Sequence, residues 1–581
     1  MALVYFSWID YAIFTIITAL GCLIGIYFGF YKKQDNVQNY LNGGKNLKWF
    51  PVCMSLVSSA FTGFSLLGYP TEVYMYGTQI SVLVLSVFFC GLISYFIFLP
   101  VFFKLQISSI YEYLQLRYNS FLKNTFSIFF IISTIFLLPI LMYIPSLIFS
   151  QVSGVKLHVI APIMILICIF YTVIGGLKAV IWADTLQFAV TVVTLAIVIT
   201  LGVISTGGFD VVYERVRAGD RWEFFNFSFD PTVRTTFWTV VVGHTISWTG
   251  MVSIAAPEIQ RYLTLSSMKN IKKTLITFTG VTVAAKSVCF LLGMIIYAKY
   301  YDCDPKSIGE IKKPDQIVPY FITEVTQGLR GLNGLFVAAF FGAAFSSYST
   351  ILNTCASVIY TDFLQLRITN KLQEKQGLVL KLLTFGIGIL SIAMIYIVEN
   401  FGTIFELAHY IKGITGGATL GIFLLGLMVP QANAKGAIAG GVTSIILMGI
   451  IIIGTQIYVW NGVIQENPKP LYTYGCNFTN NSSSISSTIS PLSTTWTIQD
   501  NQTEPMWLFR ISFQYYFLIG TMATVFVGII VSWFTRKETD GALNPDYFSP
   551  FIYKLSETLR KRKIEFQEET VSLKKQNGSN K

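Results

Sequence analysis

The run GLNGLFVAAFFGAAFSSYSTILNTCASVIYTD, residues 331–362, is long and apolar enough to cross a bilayer, yet it is crowded with small residues and hydroxyls. Ala343, Ser346 and Ser347 fall at i, i+3 and i+4, which gathers their oxygens on one face of a helix. Phe340, Phe341 and Phe345 are left to face lipid or neighbouring helices. Such an oxygen-rich face suits a small hard cation. It equally suits close packing, because Gly, Ala, Ser and Thr let transmembrane helices approach one another. The rest of the chain has to decide between the two.

With 581 residues, 53% of them hydrophobic and only 12% charged, and a mean hydropathy of +0.60, the chain reads as a membrane protein. The net charge of +11 is spread over short loops and the C-terminal tail, so it points to membrane orientation rather than to nucleic acid. Six of the eight cysteines (Cys22, Cys53, Cys90, Cys168, Cys289 and Cys355) lie in apolar runs, which excludes a secreted disulfide framework. His158, His244 and His409 are far apart and no Cys-x-x-Cys occurs, so a zinc site has little support. No nucleophile–base set, phosphate loop or metal cluster argues for an enzyme.

The start of the chain lacks the basic segment of a cleavable signal, and its first apolar run reads as a span. Runs of about 20 residues predict about 13 transmembrane helices: 8–31, 49–70, 78–103, 124–150, 159–175, 180–204, 236–257, 274–298, 331–361, 379–398, 403–428, 436–456 and 512–534. Lys and Arg concentrate in the loops after odd-numbered spans, for example Lys32, Lys33, Lys45 and Lys48, then Lys104, Arg117 and Lys123. These loops and the tail are expected in the cytoplasm and the N-terminus outside, in the plasma membrane. Arg215, Arg217, Arg221 and Arg234, and Lys306, Lys312 and Lys313, go against that count.

Residues 1–535 form the predicted transporter domain. Within it, 457–511 is an extracellular loop carrying acceptor triplets at Asn477, Asn480, Asn481 and Asn501, where glycans are expected. Cys303 and Cys476 both fall in loops expected outside, where a disulfide between them can form. Residues 536–581 are read as a solvated cytoplasmic tail, partly helical around 551–566. Gly21, Gly25 and Gly29 make a small-residue seam that serves packing within the monomer or between copies, and the sequence does not choose.

The second span, WFPVCMSLVSSAFTGFSLLGYPTEVYMYG, is punctuated by Pro51, Gly63, Gly68 and Pro70. Unwound backbone in a bilayer needs a cavity or an ion to satisfy its carbonyls. Spans 2 to 6 and 7 to 11 are each five helices, so the second set lies inverted relative to the first, as in many secondary transporters. The blocks GYPTEVYMYGTQ (68–79), GGLKAVIWADTLQF (175–188), IQRYL (259–263), YYDCDPKSIGEIKKPDQ (300–316), AAFSSYSTILN (343–353) and GIFLLGL (421–427) carry a resemblance. Over essentially its whole length the chain resembles the sodium/solute symporter family, closest to the branch carrying monocarboxylates, multivitamins and iodide.

That resemblance implies an all-α polytopic fold with a leucine-transporter-like five-plus-five inverted repeat. Repeat one would be 49–204 and repeat two 236–428, flanked by helices 8–31, 436–456 and 512–534. It implies a sodium ion held by the carbonyls of Ser58, Phe61 and Ala343 and the hydroxyls of Ser346 and Ser347, with Asp184 as a buried acid on the sodium path. The bland reading of Asp184 is a cap or a partner of Lys178. The implied activity is sodium-coupled import of a small organic anion by alternating access. The alternatives are a sugar, inositol or choline-type symporter, or a sodium channel or solute sensor of the same fold.

Substrate residues follow less directly. Met75 stands where relatives in the branch often have Arg, and Ala255-Ala256 where they often have Asn-Gln, so the usual surroundings of an anion do not carry over. Ser65, Trp248 and His409 occupy positions where sugar carriers place Gln, Asn and Gln, which serves a polyhydroxylated sugar poorly. Lys286 lies mid-span, where a lone Lys costs about 2.5–3.5 kcal/mol on insertion scales; it is expected to face a solute carboxylate, a structural partner or water. Glu406, His409 and Lys412 share one helical face, and Met251 lies one turn beyond Trp248. The partners implied are the solute, sodium and the lipid bilayer, with no nucleic acid. Oligomeric state is left open.

Overall fold

The computed structural model describes residues 6–31, 43–45, 47–365, 376–400, 404–464, 468–476, 505–536 and 544–553. Among these every regular element is helical. In chain order the α-helices are α1 (Trp8–Ile26), α2 (Trp49–Ala60), α3 (Gly63–Tyr76), α4 (Leu83–Ile93), α5 (Leu99–Leu105), α6 (Glu112–Arg117), α7 (Ser120–Ser153), α8 (Leu157–Thr206) and α9 (Phe209–Ala218). They continue with α10 (Thr245–Ser253), α11 (Ala256–Tyr262), α12 (Met268–Lys299), α13 (Ile317–Val325), α14 (Leu332–Ile359), α15 (Gln376–Asn400), α16 (Ile404–Met428), α17 (Ala434–Trp460) and α18 (Tyr516–Thr535).

Among the described residues nine helices are long and apolar enough to cross a membrane, or eleven if each of two bent pairs counts as one span. The bent pairs are the structural feature that matters most. Helices α2 and α3 meet at 48°, with Phe61 off the helical region at φ −108°, ψ 61°. The other bend, 60°, separates α10 from α11 at Ile254 and Ala255. The first break was expected from Gly63 and its neighbours; the second carries no such cluster of Gly and Pro.

Helix α8 runs for 50 residues, which would measure about 75 Å if straight, against about 30 Å of hydrocarbon. Gly176 interrupts it at φ 57°, ψ −162°, a conformation essentially restricted to glycine. The expected spans 159–175 and 180–204 fall on either side. Of the span expected at 403–428, residues 413–428 form a shorter apolar helix.

Helix α14, the opening stretch, is the most enclosed. It packs against α1, α2, α7 and α8, and Phe340, Phe341 and Phe345 are all buried. Its aromatic face therefore meets protein rather than lipid: Phe341 lies 5.5 Å from Phe14 and 6.2 Å from Phe149, ring centre to ring centre. The glycine seam of α1 is used within the monomer. A Cβ on Gly25 would collide with the backbone of Tyr171 on α8, and one on Gly29 with Ile174. Helices α16, α17 and α18 pack by the same device, with Gly417 and Gly520 face to face and Ser444 Oγ donating to the Gly520 carbonyl at 2.8 Å.

Candidate functional site

The end of α2 lies against the middle of α14. Ser59 Oγ is 3.2 Å from Ser346 Oγ and donates to the Ser346 carbonyl at 3.5 Å. The break between α2 and α3 is thus brought beside the hydroxyl stripe of α14. Ser58, Phe61, Ala343, Ser346 and Ser347 are all buried. The ring of Phe61 turns toward Phe188 on α8, 6.5 Å away, which leaves its backbone at the bend. Ser347 Oγ is buried, with no hydrogen-bond partner among the described residues. A buried orphan hydroxyl in a native helix is uncommon and requires a reason, and an ion that takes neutral oxygen supplies one.

Beneath this point lies a polar network that the sequence did not disclose. Asp184 and Arg261 are both fully enclosed, 3.8 Å apart. Ser55 Oγ donates to Asp184 Oδ2 at 2.6 Å, and Thr350 Oγ1 approaches the same oxygen at 3.4 Å. Arg261 Nη1 donates to the Ser55 carbonyl at 2.6 Å and to Ser55 Oγ and Ser59 Oγ at 2.9 Å each. Its Nη2 forks onto Glu258 at 2.8 and 2.9 Å. The partner of Asp184 is therefore Arg261, and not Lys178. Asp184 Oδ1 is buried without a hydrogen bond. The network ties α8, α2, α11 and α14 together one step from Ser346. Arg261 sits in the IQRYL block, but nothing in its local sequence names a carboxylate so distant in the chain.

The residues considered for the solute divide into two groups. Ser65 and Trp248 are buried, Met251 is 39% exposed, and Lys286 is fully buried on α12. The Lys286 ammonium donates to Tyr69 OH at 2.6 Å and lies 3.9 Å from the centre of the Trp248 ring. Glu406 and His409 are on α16, but their side chains lie outside the described residues. Asn477, Asn480, Asn481 and Asn501 also lie outside them.

On the opposite side from the Arg261 network, the segment 468–476 covers the end of α3. Lys469 N donates to the Met75 carbonyl at 2.9 Å. Arg221, fully buried, donates to the carbonyls of Gly219, Tyr74 and Lys469 and stacks over Tyr297 at 4.2 Å. Arg234 forks onto Glu72 at 2.9 and 3.0 Å. Cys303 and Cys476 are joined by a disulfide across a sequence separation of 173. Tyr474 OH donates to Asp302 at 2.6 Å, and that bond holds the phenol above its usual range.

The model of the sodium:solute symporter family matches residues 40–444. Sodium-coupled monocarboxylate transporter 1 of Mus musculus is 34% identical over 532 residues, covering 90% of this chain and 86% of that protein. Transporter 2 of the same name and organism is 32% identical over 546 residues, covering 93% and 86%. The sodium/iodide cotransporter of Homo sapiens is 28% identical over 552 residues, covering 92% and 85%. Among solved structures, a substrate-bound, outward-open Na+-coupled sialic acid symporter superposes with a TM-score of 0.71 at 23% identity, covering 91% of this chain and 98% of that one. That likeness concerns the fold. The family match through most of the helical bundle, with 34% identity over nine-tenths of the chain, makes this protein a multi-pass membrane transporter of the sodium:solute symporter family, with sodium as its coupling ion.

Proposed function

We propose that the chain imports a small organic anion, a monocarboxylate or a carboxylated vitamin such as biotin or pantothenate, together with sodium across the plasma membrane. The sodium ion would be held by the carbonyls of Ser58, Phe61 and Ala343 and the hydroxyls of Ser346 and Ser347. The observation that carries this reading is the contact of Ser59 with Ser346, which sets an interrupted helix beside a buried hydroxyl that has no partner among the described residues. Relatives named for monocarboxylates and iodide support an anion as solute.

In this reading residues 49–204 and 236–428 are two inverted repeats, each opening on a bent pair, and the 13 spans place the N-terminus outside and the tail inside. Sodium bound at the first break stabilises an outward-open state. The solute then binds between the bent pairs, and one repeat bundle rocks against the other to release both inside. Asp184, held by Arg261, Ser55 and Thr350, lines the way by which sodium leaves. A tenfold sodium gradient supplies about 1.4 kcal/mol per ion. One sodium carried with a singly charged anion moves no net charge and supports about tenfold accumulation. Each further sodium adds the membrane potential as well, about 1.4 kcal/mol at roughly 60 mV.

Uptake of lactate, nicotinate, pantothenate, biotin and iodide, with and without sodium, tests the reading. Sodium-dependent accumulation of at least one carboxylate is expected. Uptake of a sugar, inositol or choline in place of all five would overturn it, as would solute-evoked currents without accumulation.

A further inference from the structure

Lys286 is placed where the two bent pairs converge, and every contact it makes is with a neutral group. Its Nζ donates to the hydroxyl of Tyr69 on α3 at 2.6 Å. It lies 3.9 Å from the ring centre of Trp248 on α10 and 4.5 Å from that of Tyr69. The ammonium is fully buried. Among the described residues no carboxylate comes within ion-pair distance of it, although Arg261, the comparably buried cation, has both Asp184 and Glu258. The titratable groups near it are the thiols of Cys90 and Cys289 and the imidazole of His244. An ammonium offers three donors and here one of them is used; two aromatic faces attract the charge without neutralising it.

A second polar atom waits at the same place. Among the described residues His244 Nε2 has no hydrogen-bond partner, although the imidazole interacts with the side chain of Gln514, and its ring lies 5.7 Å from Trp248. The indole of Trp248 is thus a neighbour both of a cation without an anion among the described residues and of the His244 imidazole. A membrane-embedded Lys faces a partner or a water-filled cavity, and a solute carboxylate is a partner that this one lacks among the described residues.

We propose that Lys286 is the residue that selects a carboxylate in the solute, a carboxylate oxygen pairing with its ammonium beside the ring of Trp248. This rests on the reading of the chain as an anion symporter and deepens it. Tyr69 and Trp248 enclose the ammonium from the second half of one bent pair and the first half of the other. Entry of a carboxylate displaces the tyrosine hydroxyl from Lys286 and so couples solute binding to both breaks.

The test uses nicotinate and nicotinamide, which differ only in carboxylate against neutral amide, in proteoliposomes with a sodium gradient. Wild-type protein is expected to accumulate nicotinate and to reject nicotinamide. Lys286→Met is expected to raise KM for nicotinate roughly ten- to a hundredfold, the range for a charged hydrogen bond, and to erase the preference over the amide, while half-saturating sodium stays unchanged. Lys286→Arg is expected to restore part of the preference. An unchanged KM in Lys286→Met, or a fall in maximal rate alone, would show a packing role and overturn the assignment. If that variant does not accumulate in the membrane, the wild type still decides, because equal uptake of the acid and the amide overturns it too. Wild-type protein that transports no carboxylate, yet retains sodium-dependent uptake of another solute, overturns the anion reading itself.

Discussion

At the scale of single residues, the site separates hydroxyls that hold the fold from one that does not. Ser346 Oγ touches Ser59, whereas Ser347 Oγ is buried and bonded to nothing among the described residues. Ser347→Ala therefore loses no protein hydrogen bond, and its thermal stability in detergent is expected to stay within about 0.5 kcal/mol of wild type. Its half-saturating sodium concentration should rise tenfold or more, by about 1.4 kcal/mol of lost ion binding. Unaltered sodium activation of uptake would remove Ser347 from the site. Arg261 behaves in the opposite way. Its truncation leaves buried Asp184, and Glu258, without their cation, so Arg261→Ala is expected to cost about 3–5 kcal/mol of stability, and Asp184→Asn in the same chain to recover part of that. A melting curve for the double variant no higher than for the single one would deny the pair its role. The spacing of Ser346 and Ser347 was legible because a helix places i and i+3 or i+4 together whatever surrounds it. The role of Arg261 was not, because apart from Glu258 its partners Asp184, Ser55 and Ser59 come from helices distant in sequence, and local patterns record only the element's own face.

At the scale of elements, hydropathy located the apolar runs well, since a bilayer imposes length and composition on each of them independently. It could not say that the two runs 159–175 and 180–204 belong to one 50-residue helix, Leu157–Thr206, broken only at Gly176, or that residues 254–255 bend as sharply as the break at residues 61–62. Those outcomes depend on what packs against the backbone. The same holds for the glycines of α1, whose use the sequence left open and whose contact with α8 the fold decides. Gly25 meets Tyr171 with no room for a side chain, while Gly280 on α12 faces open space. Gly25→Leu is accordingly expected to force α1 away from α8 and lower thermal stability by roughly 1–3 kcal/mol. Gly280→Leu should leave the melting temperature nearly unchanged. Equal melting curves for the two variants would mean that α1 is not seated on α8 in the membrane.

At the scale of the whole molecule, two of the basic residues that broke the loop-charge pattern, Arg221 and Arg234, turn out to be structural. Arg221 is enclosed by carbonyls and the ring of Tyr297, and Arg234 is locked to Glu72. A count of Lys and Arg assumes free charges in short loops, and these are neither free nor in short loops. Arg221, which donates to the Tyr74 and Lys469 carbonyls, and Lys469, which donates to the Met75 carbonyl and to Glu223, clamp the segment 468–476 onto the end of α3. The far end of that helix is the break beside Ser346, so the clamp and the proposed sodium site lie at the two ends of one helix. The disulfide of Cys303 with Cys476 anchors the clamp to the segment following α12, where Asp304 N also donates to the Tyr472 carbonyl. Six cysteines are free and two are bonded, so denatured, unreduced protein should titrate six thiols and reduced protein eight. A membrane-impermeant reductant applied outside cells should slow maximal uptake severalfold while half-saturating sodium stays constant, because α3 loses its outer anchor and the oxygens at its other end remain. The same reagent confined to the inside should do nothing. Eight thiols before reduction would exclude the bridge, and a response from the inside alone would invert the proposed orientation of the chain.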